Sequence, residues 1–65
     1  MTLANRLRRE RKANNLSQGV LALVGNVLPH TQYLYETGVR CPRADYLSLI
    51  AAAGLDVQYI VIGGV

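Results

Sequence analysis

Apolar residues recur at helical spacing from the start of the chain. Leu3 and Leu7 lie one turn apart, on the inner face of a first helix that Thr2 can cap. We expect this helix to run roughly to Ala13, because the asparagine pair at residues 14–15 tolerates turn geometry. The first element is therefore predicted to be a short amphipathic helix.

Two further short helices are predicted on either side of a tight turn. Ser17 can cap the second helix, whose apolar positions lie within residues 20–24. Residues 25–26, Gly-Asn, accept positive φ and should form the turn. Pro29 suits the first position of the third helix, and Gly38 suits a left-handed cap at its end.

The pattern predicts a fourth helix over residues 44–53 and a short fifth helix that Asp56 caps. The apolar positions of these two helices are Leu47, Ile50, Ala51, Val57, Ile60 and Val61. The tail YIVIGGV, residues 59–65, is β-branched, so an edge strand that pairs with a second copy is an alternative. The whole pattern predicts one all-α domain over residues 1–65, a compact bundle of about five short helices.

The length and composition make an enzyme a poor expectation. A chain of 65 residues has few core residues to spare for an enclosed active site. One histidine, one cysteine and four scattered acids give no set of nucleophile, base and orienting group, and the pair Cys41 and His30 lacks a third member. A single cysteine also excludes an internal disulfide and a cysteine-rich metal site. We expect no catalysis, no metal and no cofactor.

The hydropathy pattern contains no candidate membrane span. The longest clean apolar run, residues 20–24, is far shorter than a bilayer requires. No clear secretory signal precedes it. A cytoplasmic protein is expected.

Basic residues cluster at the beginning of the chain, and the formal net charge is +3. Five of the seven basic residues lie within the first twelve positions, namely Arg6, Arg8, Arg9, Arg11 and Lys12. Such a cluster suits a phosphate or an acidic partner, and a solvated helix face explains it equally well.

Two short helices joined by a tight turn, after a basic helix, have the local form of a helix-turn-helix. Gln18, Ala22, Asn26 and Tyr35 occupy the positions for a polar first residue, a small contact residue, a turn residue and a core aromatic. Ala22 is small because the second and third helices are expected to cross closely there. Asn26 stands where glycine is commoner.

Three segments make the resemblance more specific: RLRRERKANNLSQ, YETGVRCP and DYLSLIAAAGLDVQYIVIGG. Together they resemble the phage repressor and Cro type of transcriptional regulator, the XRE family, from about Leu3 to Gly64. The closing segment is similar to that of small prophage-type bacterial regulators. The resemblance implies a lambda repressor-like bundle of about five helices that binds a palindromic DNA operator as a homodimer.

The resemblance also implies roles for single residues. Ser17 and Gln18 match the residues that bind a phosphate at the start of the second helix, where free amides favour an anion. Arg11 and Glu36 match a partly buried salt bridge between the first and third helices. Arg40 and Arg43 match loop positions that touch the DNA backbone beside the reading helix. A role in solubility alone is the alternative for both.

The positions that carry base contacts in the family hold, in this chain, Pro29, His30, Tyr33 and Leu34. His30 can donate to guanine or accept from a base amino group, and Leu34 can lie against a thymine methyl. Gln32 departs from the family, which has Ile or Val there. Gln32 is either buried and bonded to the backbone, or it faces the groove on a rotated helix and contacts adenine.

The leading hypothesis is a sequence-specific DNA-binding regulator, expected to act as a repressor. The alternative is a protein-interaction module in which the third helix offers Leu28, Tyr33 and Leu34 to an apolar partner. A homodimer is expected because one short domain reads few base pairs. The apolar segment from Val57 to Val65 is the candidate interface.

Overall fold

A computed structural model of the chain describes residues 1–63, which form five α-helices and no strand. The helices are α1 (Leu3–Ala13), α2 (Gln18–Val24), α3 (Pro29–Thr37), α4 (Ala44–Ala52) and α5 (Val57–Ile62). The all-α prediction is confirmed, and the strand alternative is wrong over residues 59–62, which are helical. Gly64 and Val65, the rest of that alternative, lie outside the described residues. None of these five helices is long and apolar enough to cross a membrane.

The helix ends follow the predicted capping chemistry. Thr2 Oγ1 accepts from the Asn5 amide at 3.2 Å, and Ser17 Oγ accepts from the Val20 amide at 3.1 Å. Asp56 likewise caps α5 by accepting from the amide of the third residue after it. Local sequence therefore determines where these three helices begin, because each cap satisfies an amide that the helix itself leaves unpaired.

The core lies between the helices and draws on every one of them. Its buried members are Leu7, Leu21, Tyr35, Tyr46, Ile50, Leu55 and Ile60. On α4 the buried positions are Tyr46 and Ile50, one turn apart, and Leu47 is only partly buried. Ala51, one of the apolar positions of the predicted helix, is exposed, because the buried stripe of α4 is centred on Tyr46 and Ile50.

The turn between α2 and α3 depends on a close approach to α4. A Cβ atom added to Gly25 would lie 2.3 Å from the ring of Tyr46, so a larger residue would displace that ring. The φ of Gly25 is −82°, and Asn26 is the turn residue with positive φ, at 58°. Gly25 is thus required for space, and the backbone reversal falls to Asn26.

Two side chains of α1 bind the two ends of α5. Arg6 Nε donates to the carbonyl of Ile60 at 2.9 Å, at the C-terminal end of α5. Glu10 Oε2 accepts from the Asp56 amide at 2.9 Å, at its N-terminal end. A cation at the C-terminus and an anion at the N-terminus both complement the helix dipole. This arrangement fixes a helix of six residues that would be marginal alone.

Candidate nucleic-acid interface

Helix α3 has one buried face and one exposed face. Gln32, Tyr35 and Glu36 are buried against the rest of the bundle. Pro29 and His30 are exposed, and Tyr33 retains 51% of its accessible surface. Four of the predicted contact positions therefore lie on or near the outer face of α3, although Leu34 is half-buried.

His30 and Tyr33 form an aromatic pair on this exposed face. Their ring centroids are 6.3 Å apart and their planes differ by 18°. Residues three apart on a helix are neighbours, so the spacing alone brings the rings together. The two nearly parallel rings give the exposed face of α3 an apolar surface that also carries an imidazole and a phenol hydroxyl.

The ion pair implied by the resemblance is present. Arg11 donates from Nε to Glu36 Oε2 at 2.8 Å and from Nη2 to Oε1 at 3.0 Å. Its Nη1 donates to the carbonyl of Leu16 at 2.8 Å. The side chains of the pair are only 10% and 1% exposed. Arg11 thus connects α1, the turn before α2, and α3, and the predicted structural role is confirmed.

Gln32 belongs to the core and not to the exposed face. Its side chain is fully buried, donates to Glu36 Oε2 at 2.7 Å, and accepts from the Tyr46 hydroxyl at 2.6 Å. The alternative that makes Gln32 a DNA contact, facing the groove on a rotated helix, is wrong, because the side chain is fully buried. Its partners are side chains, whereas backbone partners were expected of a buried Gln32. Tyr46, the partner that sequence reasoning missed, lies 14 positions away on another helix.

Glu36 stays ionised because its carboxylate is saturated with donors. Arg11, Gln32 and Gln18 donate four hydrogen bonds to its two oxygens. Burial by itself raises the pKa of Glu36, but the hydrogen bonds from these three residues outweigh it and lower the pKa below 4.5. Burial also raises the pKa of Tyr46, so its hydroxyl remains a donor to Gln32.

The start of α2 lies beside the exposed face of α3. Ser17 is exposed, and its side chain caps α2. Gln18 is half-buried and donates to Glu36 Oε1 at 3.2 Å. A surface groove of about 240 Å³ is lined by Gln18 together with Tyr33 of α3 and Arg8 of α1. The structure therefore brings Gln18 of the predicted phosphate anchor beside Tyr33 of α3, and Ser17 does not line this groove.

The two loop arginines occupy different surroundings. Arg40 lines a second groove, of about 340 Å³, between the start of α1 and the end of α3. Arg43 immediately precedes α4 without a side-chain capping hydrogen bond, and its Nε lies 3.6 Å from Asp45 Oδ1, with both side chains largely exposed. The Arg40 amide donates to the carbonyl of Leu34 at 3.2 Å, so Arg40 lies at the end of α3, whereas Arg43 lines neither groove.

No family model, curated protein or solved structure matches the chain.

Proposed function

We propose that this protein is a sequence-specific DNA-binding transcriptional regulator of the XRE type. In this proposal α2 and α3 form a helix-turn-helix, α3 enters the major groove, and the start of α2 binds a phosphate. The observation that carries the proposal is the groove shared by Gln18 and Tyr33. In this groove Gln18, which we propose binds a phosphate, lies beside the exposed Tyr33 of α3, and this arrangement supports the docking mode.

The chemistry of α3 favours few direct base contacts. His30 offers a donor or an acceptor to a base edge, and Tyr33 offers a hydroxyl. Half-buried Leu34 presents part of its side chain to a thymine methyl. Because Gln32 is buried, α3 lacks the bidentate amide that reads adenine. Much of the sequence preference should therefore come from DNA shape and deformability.

The proposed regulator is a homodimer that acts in the cytoplasm as a repressor, without catalysis or a cofactor. Within the candidate interface, Val61 and Ile62 are 43% and 58% exposed, while Ile60 is buried in the core. Two exposed apolar side chains on α5 are available to a second copy. Sedimentation at micromolar concentration should show a dimer, and a monomer up to millimolar concentration would rule this interface out.

Selection of bound duplexes from a random pool tests the function. A palindromic consensus should emerge, since two symmetric copies read two half-sites. Tyr33→Ala and His30→Ala should flatten the consensus, whereas Ser48→Ala, at an exposed position of α4, should leave it unchanged. Failure of the folded wild-type protein to enrich any sequence would overturn sequence-specific binding.

A protein-interaction module is the second candidate, and the exposure of Leu28 favours it. Leu28 is 71% exposed and immediately precedes α3, close in sequence to the His30 and Tyr33 rings. An apolar anchor beside aromatic rings is typical of a protein-binding surface. In that case Tyr33→Ala should weaken partner binding and Gln18→Ala should not. A DNA-binding protein should lose affinity on either change.

A further inference from the structure

We propose that the seam between α1 and α3 is a second DNA contact, a track for the phosphodiester backbone that runs from Arg40 to Arg8. This inference rests on the proposed function and deepens it. It adds Arg8 of α1 to the binding residues and gives Arg40 a defined place. In the track, the DNA backbone lies across the side of α3 instead of touching the start of α2 alone.

The two grooves described above meet at Thr37. Thr37 lines both the groove that contains Arg8 and Gln18 and the groove that contains Arg40. The two grooves are therefore adjacent parts of one surface, with Thr37 at their junction. Arg8 lines one of the two grooves and Arg40 lines the other, and Asn5 also lines the groove that contains Arg40.

Both arginines are available to a ligand. The side chains of Arg8 and Arg40 form no hydrogen bond or salt bridge within residues 1–63, and both are exposed. Glu36 is the one acid of the four that lines these grooves, and it lines the groove that contains Arg8. Its carboxylate oxygens already accept hydrogen bonds from Arg11, Gln32 and Gln18. The seam therefore has a positive charge that no neighbouring carboxylate cancels.

The distribution of charge along the chain shows why a DNA-binding α3 needs such a track. Residues 13–35, which include all of α2 and most of α3, contain no Asp, Glu, Lys or Arg. Neutralisation of phosphates by cations supplies most of the non-specific affinity for a duplex. That affinity has to come from α1 and from the loop after α3. At the seam, one cation from each of these two segments lines the surface beside α3: Arg8 from α1 and Arg40 from the loop.

Salt-dependent binding to a random-sequence duplex tests the track, with a matched control on the same helix. Arg8→Gln and Arg9→Gln remove the same charge from adjacent exposed positions of α1. Arg9 lines neither groove, and its Nη1 lies 3.7 Å from Met1 Sδ. Fluorescence anisotropy at several salt concentrations measures the affinity and its salt slope for wild type, each variant and Arg40→Gln.

The track predicts that Arg8→Gln and Arg40→Gln each reduce the slope by about 0.9, the loss of one phosphate contact. At 0.1 M salt each should weaken binding roughly five- to tenfold, and Arg9→Gln should weaken it much less. Equal effects of Arg8→Gln and Arg9→Gln, with tight wild-type binding, would overturn the track and leave the proposed function intact. Absence of duplex binding by the folded wild-type protein would overturn both.

Discussion

Gln32 occupies a position where an apolar side chain would ordinarily fill the core. It is tolerated because each of its polar ends has a partner, the Tyr46 hydroxyl on one side and the Glu36 carboxylate on the other. Burial with satisfied hydrogen bonds was one of two alternatives open from the sequence. The choice between these alternatives depends on the contact of Gln32 with Tyr46, which lies on another helix. The hydrophobic periodicity of one helix does not predict such a contact.

Replacing Gln32 should therefore affect stability. Gln32→Ala leaves the buried Tyr46 hydroxyl without its acceptor and opens a cavity, and we expect a loss of about 2–3 kcal/mol in the free energy of unfolding. Gln58→Ala, at an exposed position of α5, is the matched control and should change stability little. Urea denaturation measures both. Unchanged stability for Gln32→Ala, with weaker DNA binding, would instead indicate a rotated α3.

Ionisation of Glu36 should make the fold sensitive to acid. Its folded pKa is below the ordinary value of 4.5, so its contribution to stability is complete above that pH. The contribution is lost progressively as the pH falls from about 4.5 towards the folded pKa. Urea denaturation between pH 7 and pH 3 should show this loss. Glu36→Gln should be less stable at neutral pH and lose less stability on acidification, and an equal acid loss in the variant would contradict the assignment.

At the scale of elements, the start of a helix is more predictable than its packing. Thr2, Ser17 and Asp56 were recognised as caps because each acts within three residues of its own position. The contacts of Arg6 and Glu10 with α5 span 54 and 46 residues, and the sequence places both residues simply in a basic helix. Long-range pairings of this kind require the fold to be known.

The two glycines of the α2 region should respond oppositely to alanine. Gly25→Ala forces a methyl group into the Tyr46 ring and should cost about 1–3 kcal/mol. Gly19, within α2, has Ser17 Oγ at 4.0 Å as its nearest neighbour, so Gly19→Ala should stabilise the helix by about 0.5–1 kcal/mol. Thermal unfolding of the two variants measures the contrast. Equal effects would contradict the close approach of α4 to the turn.

At the scale of the whole molecule, the basic residues lie on α1 and in the loop after α3. The side chains of Arg6 and Arg11 donate hydrogen bonds to other helices, Arg6 to Ile60 of α5 and Arg11 to Glu36 of α3. The sequence reveals a basic first helix, but it does not separate these two from Arg8, which is free to bind a ligand. The outer face of α3 carries no Asp, Glu, Lys or Arg. The DNA-binding proposal therefore assigns base reading to α3 and phosphate binding to its surroundings.

The most direct test of this assignment is a nuclear magnetic resonance titration of the ¹⁵N-labelled protein with duplex DNA at low salt. The account predicts the largest amide shifts at Ser17 and Gln18 and along residues 30–34, with small shifts on the exposed face of α4. Shifts concentrated on α4, or an unchanged spectrum of the folded protein at excess duplex, would contradict it.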